Sequence, residues 1–450
     1  MSKINTSTMD KPANKTPKLL VTAGAPVDFR DSWRIFRIVS EFVDGYQFLS
    51  SLKKEITILG SARLPKNNKY YKIAEELSFK LGQVGFTIIT GGGPGIMEAA
   101  NKGAKEAGSE SVGLNIQLPH EQRVNDYVTK SIGFYYFFTR KVILTSPANG
   151  FVFFPGGFGT FDEFFEVVDN IELKHTRRVP IVLIGKDFWQ PVLDFLRSKS
   201  CDEINSFVKE DINNWHIVET AEEAFRILEK VEDSPEVCEI TPDNPTCQGG
   251  LDWRIFRIMA ELVEGFEFIS KNPTDVTVLG TKSVARNTEY YEEAYKLGKE
   301  LALNNYSLVT GGGPGIMEAA NKGAFEHGGQ SVGINMRFAS GERINGYLTK
   351  SIGFFFPFVR KLIISAPSKA FVFFPGGLGT LHQLFEQLTL IETKKIASIP
   401  ILLYGKEFWQ PLIEIIHNLF ARFKTINESD KDLIKVVERG EEVLAYLSNK

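Results

Sequence analysis

A chain of 450 residues, 43% hydrophobic and 24% charged, has the make-up of a soluble globular protein and the length to bury full cores. Its net charge of -3 argues against the basic surface that nucleic acid requires, while leaving room for a basic pocket fitted to a small anion. Cys201, Cys238 and Cys247 are odd in number and lack metal-ligand spacing, and no apolar run nears the roughly 20 residues of a membrane helix. No disulfide scaffold, metal, redox cofactor, nucleic-acid partner or membrane partner is therefore expected.

Residues 1–25 are polar and broken by proline, which predicts a disordered tail without a signal peptide and hence a cytoplasmic location. Trp33 to Leu52 has the pattern of an amphipathic helix. Short apolar runs ending in Gly or Pro then alternate with helical patterns: EITILG, FTIIT, SVGLNI, FVFFP and PIVLIG read as buried strands. Between the first two lies Tyr70 to Val84, with Ile73, Leu77 and Leu81 at helical spacing. Strict alternation predicts an α/β fold of the Rossmann-like kind, a parallel sheet with helices on both faces, whose chemistry gathers at the carboxyl ends of the strands.

The second half repeats the first. WRIFRI at 33 returns at 253, TGGGPGIMEAANKGA at 90 returns unchanged at 310, FVFFPGG at 151 at 371 and FWQP at 188 at 408. A constant offset of 220 residues marks a duplicated domain. We divide the chain into copy 1 (26–230), a linker rich in Pro, Asp and Gly (231–250) and copy 2 (251–450), giving two tandem Rossmann-like domains.

Gly91-Gly92-Gly93-Pro94-Gly95 follows the strand FTIIT and precedes a helix expected near Ile96, with Pro94 suited to its first turn. Such a loop either presents backbone N–H groups to a phosphate or serves only as a tight turn. SVGLNI ends at Asn115 rather than at the acid of a dinucleotide fingerprint, which argues against a nicotinamide dehydrogenase. A second loop, Pro155-Gly156-Gly157-Phe158-Gly159-Thr160, also joins strand to helix, and two such loops on one edge could grip a phosphate and place its sugar. Arg140 opens the helical segment FFTRKVILT and Glu163 opens the helix after FVFFP, so both return to that edge. Arg140, a cation at a helix start, calls for an anionic partner, either a ligand or a neighbouring carboxylate. Thr160-x-x-Glu163 has the form of a capping box, and Thr380-x-x-Gln383 could cap equally well. The histidines His120, His175, His216 and His327 are scattered, Phe134 to Phe138 reads as core, and there is no G-x-S-x-G elbow.

GGGPGIMEAANKGA, the Arg140-Lys141 pair and PGGFGTFDE together resemble the Lonely Guy (LOG) family of phosphoribohydrolases, over roughly 30–230 and again 250–450. LNIQLPHEQ at 114–122 looks like its longer bacterial branch. Relatives sometimes carry the label lysine decarboxylase, but no pyridoxal-phosphate constellation supports it here. The resemblance implies cleavage of a nucleoside 5′-monophosphate, AMP-like or a cytokinin riboside monophosphate, into free base and ribose 5-phosphate. It makes Arg140 and Glu163 catalytic. It assigns substrate contacts to Ser61, Arg63, Gly91, Gly92, Gly93, Gly95, Met97, Glu98, Asn115, Lys141, Gly156, Gly157, Gly159 and Thr160. It also implies an internal pseudo-dimer, with further homo-oligomerisation left open.

Copy 2 keeps both glycine loops (Gly311, Gly312, Gly313, Gly315 and Gly376, Gly377, Gly379, Thr380) and Arg360-Lys361. It replaces Glu163 by Gln383, Asp162 by His382, Arg63 by Ser283 and LPHEQ by FASGE. Copy 2 is thus expected to bind phosphate without hydrolysing. The rival to a hydrolase is a non-catalytic nucleotide or cofactor carrier, or a sensor, on the same loops.

Overall fold

The structure, a computed structural model, describes residues 32–117, 124–207, 209–232, 251–272, 275–337, 344–366 and 368–448. The expected tail, nearly all of the linker and all of LPHEQ and FASGE lie outside the described residues. Copy 1 runs α1 (Ser32–Leu49), β1 (Glu55–Leu59), α2 (Lys69–Gln83), β2 (Thr87–Thr90), α3 (Ile96–Glu106), β3 (Ser111–Ile116), β4 (Lys130–Phe134), α4 (Phe137–Thr145), β5 (Gly150–Phe153), α5 (Phe158–Glu172), β6 (Ile181–Ile184), α6 (Lys186–Phe195), α7 (Lys209–Ile212), β7 (Trp215–Val218) and α8 (Ala221–Leu228). Its seven parallel strands lie in the order β4-β3-β2-β1-β5-β6-β7. The chain travels outward from β1, then returns to place β5 against its other side. That reversal opens a crevice at the carboxyl ends of β1 and β5, the usual place for a ligand in such sheets.

The five expected strands are present, and β4 and β7 are added at the two edges. Their burial is alternating or partial rather than complete, so neither has the continuous apolar run that marks the central strands. Copy 2 repeats the plan with α9 (Leu251–Lys271), β8 (Val276–Leu279), α10 (Glu289–Leu303), β9 (Leu308–Thr310), α11 (Ile316–Glu326), β10 (Ser331–Met336), β11 (Lys350–Phe354), α12 (Pro357–Ser365), β12 (Ala370–Phe373), α13 (Leu378–Glu392), β13 (Ile401–Tyr404), α14 (Lys406–Phe423), β14 (Ile434–Val437) and α15 (Gly440–Ser448). Its strand order is the same, β11-β10-β9-β8-β12-β13-β14.

Each sheet has one face covered within its own copy; in copy 1 this is the packing of Leu77, Leu81, Ala100 and Ala224 over Ile56, Ile88 and Val182. The other two faces share one continuous apolar core that crosses from copy to copy. Phe161 and Phe165 of α5 stack on Phe385 of α13 at 5.0 and 5.3 Å between ring centroids. Phe42 of α1 meets Phe358 of α12 at 5.3 Å. Burial of large aromatic rings on both sides makes this contact core-like rather than a wet domain boundary. No helix among the described residues is long and apolar enough to cross a membrane.

Candidate active site

Ser61, just past β1, ties the two glycine loops together. Its N–H donates to Pro155 O at 3.0 Å in the second loop, and its C=O accepts from Ile96 N at 3.0 Å where the first loop becomes α3. The serine hydroxyl accepts from Arg63 N at 3.1 Å. In the first loop Gly92 (φ +71°) and Gly95 (φ +68°) occupy the left-handed region that favours glycine. Gly95 is the N-cap of α3, so Pro94 stands before the cap and not in the first turn. A bend at Pro94 brings the chain into the cap; the helix starts at Ile96 as the sequence predicts, but reading Pro94 as a first-turn residue sets the cap too early.

The first loop is held by residues that the sequence reading did not single out. Asn125 Nδ2 donates to the carbonyls of Gly92 (3.1 Å) and Gly93 (3.0 Å) and to Asn101 Oδ1 (2.9 Å). Thr90 Oγ1 donates to Asn101 Oδ1 at 2.7 Å and accepts from Gly92 N at 2.9 Å. The amide of Gly92 is therefore engaged within the loop and serves its shape. The signal was present in the repeat: Asn345, Asn321 and Thr310 make the same contacts in copy 2.

Arg140 lies in the first turn of α4, and its Nε donates to Leu114 O at 2.9 Å. Its guanidinium runs beneath the first glycine loop. A Cβ added at Gly91 would lie 2.8 Å from Arg140 Nη2 and 2.8 Å from Met97 Sδ, so glycine there leaves the channel for arginine. Arg140 Nη1 stands 3.6 Å from Glu163 Oε1, and both side chains are buried. The anionic partner expected of Arg140 and the candidate catalytic carboxylate are one group.

Glu163 is not a cap. Helix α5 begins at Phe158 with Gly157 as N-cap and no side-chain capping bond, so Thr160 and Glu163 are already inside the helix. The same holds around Gly377 in copy 2. The pattern Thr-x-x-Glu misleads because Gly156-Gly157 turns the chain into the helix three residues earlier than a threonine cap would. Neither carboxylate oxygen of Glu163 has a hydrogen-bond partner among the described residues. Burial pushes its pKa up to about 7, against the pull of Arg140 and Lys141.

Other expected contacts sort by position. Gly91, Gly93, Gly156, Gly159, Thr160 and Met97 belong to the loops and their first helical turns. Asn115, near the end of β3, has Oδ1 3.1 Å from where a Cβ on Gly133 would sit. Glu98 pairs with Lys66 at 2.7 Å. Arg63 turns toward copy 2, donating to Asn427 Oδ1 at 2.8 Å and pairing with Glu392 at 3.2 Å. Lys141 departs from its expected role as a substrate contact. It is 1% exposed, with its ammonium 2.8 Å from Asp162 and 2.9 Å from Glu166. Consecutive helix positions point in different directions, so Arg140 faces the loops and Lys141 faces the other copy.

There Lys141 enters a buried cluster spanning α5 and α13. It approaches Glu386 at 3.7 Å and His382 Nε2 at 3.2 Å, while Lys361 binds Asp169 at 2.8 Å and His382 Nδ1 at 2.5 Å. Burial opposes the charge on Lys141, but Asp162, Glu166 and Glu386 overcome it and hold its pKa well above the usual value. Burial and the crowd of carboxylates push Asp162 up despite Lys141. His382 is pushed down, by burial and then by Lys361 and Lys141, and is neutral near pH 7.

Each second glycine loop is walled by the opposite copy. A Cβ on Gly157 would meet Thr425 O at 2.7 Å, and one on Gly159 would meet the Thr389 methyl at 3.8 Å. In return, Ser200 Oγ donates to Gly376 O at 3.1 Å, and Asp169 Oδ1 stands 3.0 Å from a Cβ on Gly379. Ser200 sits in a π-helical stretch, Leu196–Glu203, whereas copy 2 continues as a regular helix through α14.

A family described as "Possible lysine decarboxylase" matches residues 97–228 and 317–447. A cytokinin riboside 5′-monophosphate phosphoribohydrolase of Rhodococcoides fascians is 30% identical over 149 residues, covering 32% of this chain and 75% of that protein. An uncharacterized protein of Archaeoglobus fulgidus is 30% identical over 131 residues, 29% of this chain and 84% of its own length. Among solved structures, a molybdenum cofactor carrier protein of Chlamydomonas reinhardtii is 25% identical, covering 40% of this chain and 98% of that one, with a TM-score of 0.31. The family match covers more than half of the 450 residues, once in each half, and the chain belongs to the LOG family as a tandem pair of its domains.

Proposed function

We propose that copy 1 hydrolyses the N-glycosidic bond of nucleoside 5′-monophosphates, releasing free base and ribose 5-phosphate. The observation that carries this reading is the Arg140–Glu163 pair, set between two glycine loops at the sheet's crevice, with neither Glu163 oxygen hydrogen-bonded among the described residues. Phosphate would lie against the loop amides and the N-termini of α3 and α5, where the helix dipoles favour an anion. Glycosidic cleavage develops positive charge on the ribose, which a buried carboxylate stabilises, and the same group can then orient or deprotonate water. A pKa near 7 suits that alternation of roles at neutral pH. Arg140 holds Glu163 and reaches under the first loop to the phosphate side. The Rhodococcoides fascians relative, named for this reaction on a cytokinin nucleotide, supports the reaction class.

The paired copies act as an internal pseudo-dimer, since each walls the other's second loop. The test is incubation of the full chain with a panel of nucleoside monophosphates, scored for free base. AMP-like substrates should be cleaved and the matching nucleosides should not, because the loops grip phosphate. Equal turnover of AMP and adenosine would sink the phosphate anchor. Tight retention of a nucleotide without cleavage would instead support a carrier or sensor.

A further inference from the structure

We propose that copy 2 is a binding site for a 5′-phosphorylated ribose compound that it holds without cleaving. The choice of ribose rests on the reading of copy 1; the site itself rests on copy 2's own side chains. The first loop is built as in copy 1, with Gly312 at φ +71° and Gly315 at φ +70°. Arg360 runs beneath it in the same way, crowding the place of a Cβ on Gly311, with Nε donating to Ile334 O at 2.9 Å. What changes is the counter-charge. Position 383 is glutamine, so the guanidinium lacks the carboxylate that Glu163 provides to Arg140. Asp169 is the carboxylate whose charge acts on it, and that group is already bound by Lys361 at 2.8 Å. Arg360 is a recessed cation in search of an anion.

A second, independent observation lies beside it. Asn335, at the carboxyl end of β10, is 5% exposed, and neither its amide nitrogen nor its oxygen has a hydrogen-bond partner among the described residues. Its Cβ is 3.7 Å from where a Cβ on Gly312 would sit, which places it against the first loop. Gln383, 4% exposed, on the helix that follows the second loop, has an amide nitrogen that also lacks a hydrogen-bond partner among the described residues. Buried amides with nothing to bond are costly and rare in folded proteins. A ligand that satisfies them must both donate and accept near a cation and two helix N-termini, and a phosphorylated sugar does so with its hydroxyls and phosphate. An amide at position 383 can bond such a sugar but cannot take a proton from water, so the ligand stays whole.

AMP and ribose 5-phosphate serve as the two probes, titrated by calorimetry into full-length Glu163→Gln. AMP should bind at two equivalents per chain, or at one with ribose 5-phosphate taking the second; the first result identifies an intact nucleotide and the second a product site. Adding Arg360→Ala should weaken one equivalent at least tenfold and leave the other unchanged. Asn335→Leu should weaken the same equivalent with no fall in Tm, since it removes unpartnered atoms; a purely structural asparagine would show the reverse. A single equivalent, indifferent to Arg360→Ala and Asn335→Leu, would overturn the proposal. Base release by the wild-type chain reads copy 1 separately. Turnover with only that single equivalent sinks the copy 2 site alone, and two equivalents without turnover sink the hydrolase alone.

Discussion

At the scale of single residues, Glu163 carries opposite demands from folding and chemistry. Its folded pKa of about 7 lies above the 4.5 of a free glutamate, so the folded state holds its proton more tightly than the unfolded chain does. Stability from this group is complete below about pH 4.5 and is lost as pH rises through 7, a difference of roughly 3 kcal/mol by linkage. Glu163→Gln removes that dependence. The stability of the variant relative to the parent should therefore increase between pH 4.5 and pH 8, measured by denaturant unfolding; a constant gap would show that Glu163 is not strained by burial. Turnover should fall roughly 10²–10⁴-fold in the same variant. For the parent, kcat/KM should climb about tenfold from pH 6 to pH 8 as the carboxylate forms, and the residual activity of the variant should lack that limb.

Gly91 is tied to the same pair through space alone. Its φ is not in the left-handed region, so Gly91→Ala strains no backbone, but its methyl would collide with Arg140 Nη2 and Met97 Sδ. Both are flexible side-chain ends, which can move aside without unfolding the domain. We expect Tm to change by only a few degrees while turnover falls at least tenfold, because a small displacement of a positioned cation is costly to catalysis. Unchanged turnover would mean that the guanidinium's place beneath the loop is not used.

At the scale of elements, the legible parts of the sequence were those with one dominant cause. Central strands buried on both faces give continuous apolar runs, and EITILG or FVFFP admit few other readings. The edge strands β4 and β7 escape because water reaches them and their patterns blur. The glycine loops and Arg140 were legible as a set, since strand, glycines and helix fix the edge at which they meet. The role of Glu163 was not, because a local capping pattern and a tertiary pairing predict the same residue. Lys141, which the family resemblance assigns to the substrate, is sent by helical geometry to the opposite copy. Asn125 was missed although its partner in the repeat, Asn345, makes matching bonds. Its three bonds clamp the first loop, so Asn125→Leu should cost about 1–3 kcal/mol of stability by leaving loop carbonyls unpaired. Activity should fall with it, read by melting and turnover together; full activity would show the loop to be held by Thr90 and Asn101 alone.

At the scale of the whole molecule, the contact between the copies is asymmetric in charge. Helix α5 brings Asp162, Glu166 and Asp169 to the buried cluster, while the corresponding positions of α13 are His382, Glu386 and Thr389. Two copies of α5 facing each other would double the three carboxylates against a pair of Lys141 ammoniums. The observed pairing instead puts a neutral imidazole between Lys141 and Lys361 and gives Lys361 the carboxylate of Asp169. The differences between copy 2 and copy 1 at these positions thus have a structural counterpart: they fit one copy to the other. His382→Asp restores the copy 1 residue and tests this directly. The new carboxylate would sit between the Lys141 and Lys361 ammoniums, but beside Asp162 and Asp169, which already draw on those two lysines. Burial and this excess of like charge resist its ionisation. The variant should lose a few kcal/mol at pH 8 and less at pH 5, where the added group can remain protonated. The sign follows from its raised folded pKa: the folded state accommodates the acid form better than the carboxylate, so the penalty grows as pH rises. Unfolding monitored at both pH values measures it. Equal stability of His382→Asp and parent at pH 8 would show that the copies are joined by their aromatic core and take no instruction from the charges at its centre.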